Sequence, residues 1–251
     1  MQAAVRAART NIRCVGARPD PELPKVPSRL VALATFEGKF RSSMLRLFVL
    51  PLVVAAFHAS SHPLTADERA ALISGGVWRS GCPVQLTELR VLVVKHWGFD
   101  KRVHVGELVV HKDVAAPLAR VFRRLYELRF PIRHMRFSDA YGPPRSRPAD
   151  GDISGSFECR KAAPSPCGTG TGNWSNHAYG HAIDLNPVEN PYVGCGRTHN
   201  RASARYMDRA RLRKGMVTPA VVQAFRSIGW GWGGDWTGRT KDYMHFSTTG
   251  H

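Results

Sequence analysis

Residues 175–184 read Ser-Asn-His-Ala-Tyr-Gly-His-Ala-Ile-Asp, and residues 242–246 read Asp-Tyr-Met-His-Phe. Two neutral imidazoles and one carboxylate suit Zn²⁺, and three protein ligands leave the fourth position that a catalytic site keeps open. His177, Asp184 and His245 are therefore the expected ligands of one catalytic zinc ion. A turn at Gly180 leading into a strand over Ala182 to Leu185 would bring His177 and Asp184 to one point. Hydrolysis also needs a group to take and return a proton, even where a metal lowers the pKa of its water to about 7. Asp242, three residues before His245, is that candidate, provided that a helical turn or tight bend puts both on one side; an extended strand would separate them.

Outward from these motifs, the chain alternates strand-like and helix-like runs. Leu89 to Val94 and Val103 to Val110 are rich in Val and Leu and read as strands around Gly98 and Asp100. Asp113 is expected to cap a helix with Pro117 in its first turn, whose stripe is Leu118, Val121, Phe122 and Leu125. Met135 to Ala140 reads as a short strand. Tyr141 to Gly172 reads as a long loop, of the kind that is functional or disordered in a compact domain. Thr218 caps a last helix with Pro219 at its first position and Val221, Val222, Phe225 and Ile228 as its apolar face, and Gly229 ends it. Strands and segregated helices together indicate an α+β domain.

The two motifs, with Phe157-Glu158-Cys159-Arg160 ahead of them, closely resemble the M15 metallopeptidases. That family comprises zinc D-Ala-D-Ala carboxypeptidases and L-alanyl-D-glutamate endopeptidases, with the signature Ser-x-His-x-x-Gly-x-Ala-x-Asp and a later acidic-x-x-His. Every signature position is filled, and the likeness runs over roughly residues 70 to 251. It implies a single Hedgehog/DD-peptidase-like zinc domain with a small antiparallel sheet and flanking helices. It also implies that His177, Asp184 and His245 hold zinc, that Asp242 is the general base, and that Arg160 faces the substrate, where a guanidinium fork suits an oxyanion or a peptide carboxylate. Asp242 stands where several relatives have Glu, which resembles the endopeptidase branch, and Met244 stands where Trp is usual.

Supporting residues carry two readings each. Ser175 either bonds a ligand or substrate group or shapes the turn. Trp230, Trp232 and Trp236, set among glycines, either wall the cleft or pack in the core, with Trp232 the expected substrate contact. His181 and His199 read as surface histidines with a possible reach to substrate. Asn186, Pro187 and the Asn190-Pro191-Tyr192 run read as scaffold of the loop that leaves the metal strand.

Composition sets the context. Among 251 residues, 36 Lys and Arg against 19 Asp and Glu give a formal charge of +17. Such a surface attracts polyanions. The basic residues are not interleaved with aromatics in a recognition helix, so nucleic acid is not the expected partner; an anionic wall polymer fits as well, beside the alternative of a basic, soluble surface with no dedicated partner. Residues 47 to 57 form an uncharged apolar run after Lys39, Arg41 and Arg46, followed by the small residues Ala59, Ser60 and Ser61: the order of a secretory signal. The run is short of the roughly 20 residues that span a bilayer. Cleavage near Ala59 to Ser61, with no stable membrane insertion, is expected.

Met44 would open a signal of ordinary length. Residues 1–43 are then a disordered extension or a stretch upstream of the true start, residues 44–61 the signal peptide, and residues 66–251 the peptidase domain. Cys82, Cys159, Cys167 and Cys195 remain as an even set permitting three pairings.

Two function classes follow. One is a secreted or wall-associated zinc peptidase acting on peptidoglycan stem peptides, as carboxypeptidase or endopeptidase. The other is a noncatalytic zinc-containing wall-binding module on the same fold.

Overall fold

The computed structural model describes residues 56–162 and 172–251. In chain order the elements are β1 (Ala59–Pro63), α1 (Ala66–Ser74), β2 (Leu89–Trp97), β3 (Val103–His111), α2 (Lys112–Glu127), α3 (Phe137–Tyr141), β4 (Ala182–Asp184), β5 (Tyr192–Val193), α4 (Pro219–Arg226), β6 (Gly231–Trp232), β7 (Lys241–Asp242) and β8 (His245–Ser247), with single turns of 3₁₀ helix between them. The class is α+β. Where one small antiparallel sheet was expected, three form: β1-β2-β3, β4-β8-β6 and the pair β5-β7.

The hairpin of β2 and β3 is the longest ladder, running from Leu89 opposite His111 to Trp97 opposite Val103. Its apolar residues serve two cores because successive strand side chains alternate between faces. Leu92, Val94, Leu108 and Val110 pack on Leu118, Phe122 and Leu125 of α2 and on Phe225 of α4. On the other side Leu89, Val91 and Val109 pack with Leu72, Tyr141 and Phe157. A disulfide between Cys82 and Cys159 fastens this second core. Cys195 is disulfide-bonded as well, while Cys14 and Cys167 lie outside the described residues.

Three local expectations change. Helix α2 starts one residue before Asp113, because His111 Nδ1 accepts the Asp113 N–H at 3.3 Å and so caps it, which leaves Pro117 inside the helix. Met135 keeps one strand-like contact, its carbonyl accepting from Glu107 N, but Phe137–Tyr141 is helical. The Asp139 carboxylate accepts the Arg136 N–H at 2.9 Å and closes the first turn, a side-chain bond that competes with extended pairing.

The sheet also begins ahead of residue 66. Ala59–Pro63 pairs along β2 from Val94 to Arg90, so the last residues of the expected leader, 59–61, lie in an edge strand. Residues 1–43, and 44–55 of that leader, lie outside the described residues. Thr218 caps α4 as expected, its hydroxyl accepting from Val221 N. No helix among the described residues is long and apolar enough to cross a membrane.

Candidate metal centre

The turn that carries His177 is built locally. Ser175 Oγ accepts the His177 N–H at 3.3 Å and starts the 3₁₀ turn Asn176–Tyr179. Gly180 then adopts φ 67°, and its carbonyl accepts from His111 N at 3.1 Å. A Cβ there would stand 2.6 Å from that backbone nitrogen, so only glycine lets the turn lie this close to the end of β3. The chain reverses into β4, which pairs with β8 in a register that sets Asp184 opposite His245.

Donor atoms of three residues consequently converge. His177 Nε2 is 3.2 Å from His245 Nδ1 and 3.3 Å from Asp184 Oδ2, and His245 Nδ1 is 3.2 Å from Asp184 Oδ1. Ligands placed tetrahedrally at roughly 2.0–2.1 Å from zinc are about 3.3–3.4 Å apart. The separations lie close to that spacing, with each imidazole facing a different oxygen of the Asp184 carboxylate. His177 Nδ1 lies 2.5 Å from the Ser156 carbonyl, which can only accept, so the proton sits on Nδ1 and the Nε2 lone pair is left for a metal. Both imidazoles are buried. Burial works against the ionised Asp184, yet the two flanking imidazoles outweigh it and hold its carboxyl well below the usual carboxylate range.

Asp242 arrives by a bend. It ends β7, Tyr243 and Met244 turn, and His245 begins β8, with Leu185 N donating to the Met244 carbonyl at 3.0 Å. Its Oδ1 is buried and has no hydrogen-bond partner among the described residues. Burial, reinforced by the nearby charge of Asp184, pushes the Asp242 carboxyl up to about 7, against the pull of His245 and Arg160. A carboxylate with that affinity is suited to exchange a proton near neutral pH. Gly233 makes room for it: a Cβ on Gly233 would meet the Asp242 carbonyl oxygen at 2.5 Å.

Arg160 lines the same cavity of about 520 Å³ as Ser175, Asp242 and the three donors. Its Nε donates to Glu158 Oε2 at 2.8 Å. Its charge is felt at both His177 and Asp242.

Trp232 does not line this cavity. It lies 6.3 Å from the Phe246 ring, nearly parallel to it, its indole donates to the Tyr243 carbonyl, and it packs against the core. Trp236 is the aromatic in the cleft, joined by Tyr192 and Met244. Tyr192 was read as scaffold; its cross-strand pairing with Asp242 puts it at the site. Asn186 and Asn190 are indeed scaffold, both buried and donating to the Gly215 carbonyl. His181 packs edge-on against His111, His199 is exposed, and neither lines the cleft.

Residues 169–248 match the family model described as D-alanyl-D-alanine carboxypeptidase, within the M15 peptidases. That span holds all three donors and Asp242, and Arg160 precedes it. No curated protein and no solved structure matches the chain. Over the segment that carries these side chains, the chain is similar to the peptidases of the M15 family.

Proposed function

We propose that this peptidase is an exported zinc enzyme that hydrolyses peptide bonds in the stem peptides of peptidoglycan. The observation that carries the reading is the convergence of His177 Nε2 and His245 Nδ1 on each other and on the Asp184 carboxylate, at 3.2–3.3 Å, beside Asp242, whose buried Oδ1 has no hydrogen-bond partner among the described residues. Zinc at those donors would polarise the scissile carbonyl and acidify an attacking water.

The chain's own groups supply the rest. Asp242 takes a proton from the water as its oxygen adds to the carbonyl carbon, and delivers it to the amide nitrogen as the C–N bond breaks. Arg160 offers guanidinium N–H groups to the oxygen on which charge develops, a role for which a fixed cation is worth most in a water-poor cleft. Trp236 and Tyr192 flank the peptide.

Export is supported by the Cys82–Cys159 disulfide, a bond that persists in oxidising compartments, and by the apolar run over residues 47–57. The positive charge suits attachment to anionic wall polymers. Zinc analysis of purified protein, with mass spectrometry of fragments released from peptidoglycan, tests the proposal. About one zinc per chain and released stem fragments are expected. Bound zinc without any release would instead indicate a noncatalytic wall-binding module.

A further inference from the structure

Beyond β8 the chain doubles back along the cleft. Gly250 takes φ 78° and packs on Gly231 of β6, where a Cβ on Gly231 would stand 2.6 Å from the Gly250 Cα, so two facing glycines let the backbone turn here. The main-chain oxygen of His251 then gathers three donors: Ser247 Oγ at 3.0 Å, Thr249 Oγ1 at 3.3 Å and Asn176 Nδ2. Asn176 Nδ2 also donates to Thr249 Oγ1 at 2.7 Å. Asn176 directly precedes His177, so the returning segment is fastened to the turn that carries the proposed zinc site.

The segment's second anchor is the aromatic wall of the cleft. Trp236 Nε1 donates to the Gly250 carbonyl at 2.5 Å, and the His251 imidazole lies 5.6 Å from the Trp236 ring with only 17° between their planes. The same indole stands 6.3 Å from the ring of His245. His251 thus lines the cleft together with Arg160, Asp242 and the three metal-site residues. Its backbone is secured without the imidazole, and neither ring nitrogen has a hydrogen-bond partner among the described residues. A neutral imidazole offers one donor and one acceptor. Stacking fixes the plane of this one before a ligand arrives, which lowers the ordering cost of a contact made through it.

We infer that His251 is a specificity-determining residue of the cleft, meeting the backbone of the bound peptide through a ring nitrogen while Trp236 holds the ring in place. The inference rests on the proposed peptidase activity and adds to that site a residue outside both signature motifs. Such a contact supports binding and leaves bond breaking to the groups around the metal, so its loss falls on KM rather than on kcat.

Two substitutions separate the ring nitrogens from the ring: His251→Phe keeps the stack on Trp236 and removes the hydrogen bond, whereas His251→Ala removes both. The probe is a synthetic stem peptide containing an L-Ala–D-Glu and a D-Ala–D-Ala bond, given to zinc-loaded wild type and to variants with matching melting curves. KM is expected to rise roughly five- to tenfold in both variants, the worth of one hydrogen bond, with kcat and zinc content little changed. His251→Gln, which restores a donor and an acceptor, should recover part of the loss. Wild-type KM in His251→Phe would overturn the inference and leave His251 as a brace for Trp236. Calorimetry on Asp242→Asn protein, with and without His251→Phe, reads the contact without turnover. Weaker peptide binding in the double variant upholds the contact even if wild type releases no product, a result that sinks the peptidase reading instead. Equal affinity, or no binding to either protein, overturns the contact.

Discussion

His177 Nε2 and Asp184 Oδ2 lie 3.3 Å apart because the chain turns back on itself at Gly180 between them. The approach depends on one left-handed residue pressed against the start of α2. Gly180→Ala would place a methyl 2.6 Å from His111 N and 3.1 Å from Val110 C, both backbone atoms that cannot swing aside, at a φ that L residues rarely adopt. A loss on the order of 2–4 kcal/mol is expected from strain and clash combined. Denaturant unfolding should show it, and equilibrium dialysis should show weakened zinc binding. A variant with wild-type stability and zinc affinity would mean that the turn is not what assembles the ligands.

Asp242→Asn separates catalysis from stability. The carboxylate is buried with one oxygen unpartnered among the described residues, a costly arrangement that suits a group exchanging a proton. The amide keeps the shape and removes the charge. Zinc content should be retained, kcat should fall by roughly 10²–10⁴-fold as expected for loss of a general acid–base group, and the melting temperature should stay level or rise. A marked drop in melting temperature with kcat within tenfold of wild type would recast Asp242 as structural.

Much of this arrangement is legible in the residues themselves. The hairpin strands and the stripes of α2 and α4 follow from periodicity, and the turn at Gly180 from the one residue type that tolerates it. The illegible parts are those decided by distant partners or by competing local bonds. Trp232 and Trp236 sit in one glycine-rich run with no period to tell them apart. The 3₁₀ turn Gly233–Asp235 separates them, so that Trp232 pairs with Phe246 in the β6–β8 ladder while Trp236 lines the cleft. Tyr192 reaches the site only through its pairing with Asp242, fifty residues later. The α3 helix starts where Asp139 accepts from Arg136 and Glu107 accepts the Phe137 N–H, side-chain bonds that a strand-like composition does not reveal.

His96 gives the fold an acid limit. It is buried in β2, its Nδ1 lies 3.1 Å from the Trp97 carbonyl, and burial pulls the imidazole down from 6.5 to about 4, with the nearby His104 adding in the same direction. The unfolded chain therefore binds a proton between pH 6.5 and 4 that the native protein refuses. Its contribution is fully present above 6.5 and is lost as pH falls toward 4, by on the order of 3 kcal/mol. Chemical denaturation at several pH values should show stability decreasing across that window. In His96→Gln the slope should flatten even if overall stability is lower; an unchanged slope would assign the acid sensitivity elsewhere.

The Cys82–Cys159 bond joins residues 77 positions apart and ends one residue before Arg160. Cys159 N also donates to the Val77 carbonyl at 3.0 Å, so the segment bearing Glu158 and Arg160 is tied to the α1 side of the second core. Closing a loop of this length is worth about 4.5 kcal/mol in the chain-entropy account. A Cys82→Ala/Cys159→Ala protein should lose that much stability. At a temperature where it is still folded, Arg160 would be less firmly placed and the substrate less well held. KM should then rise severalfold, with zinc content unchanged because His177, Asp184 and His245 lie on other elements. Unchanged KM alongside the stability loss would show that the disulfide serves the core alone, and that Arg160 is positioned by its pairing with Glu158.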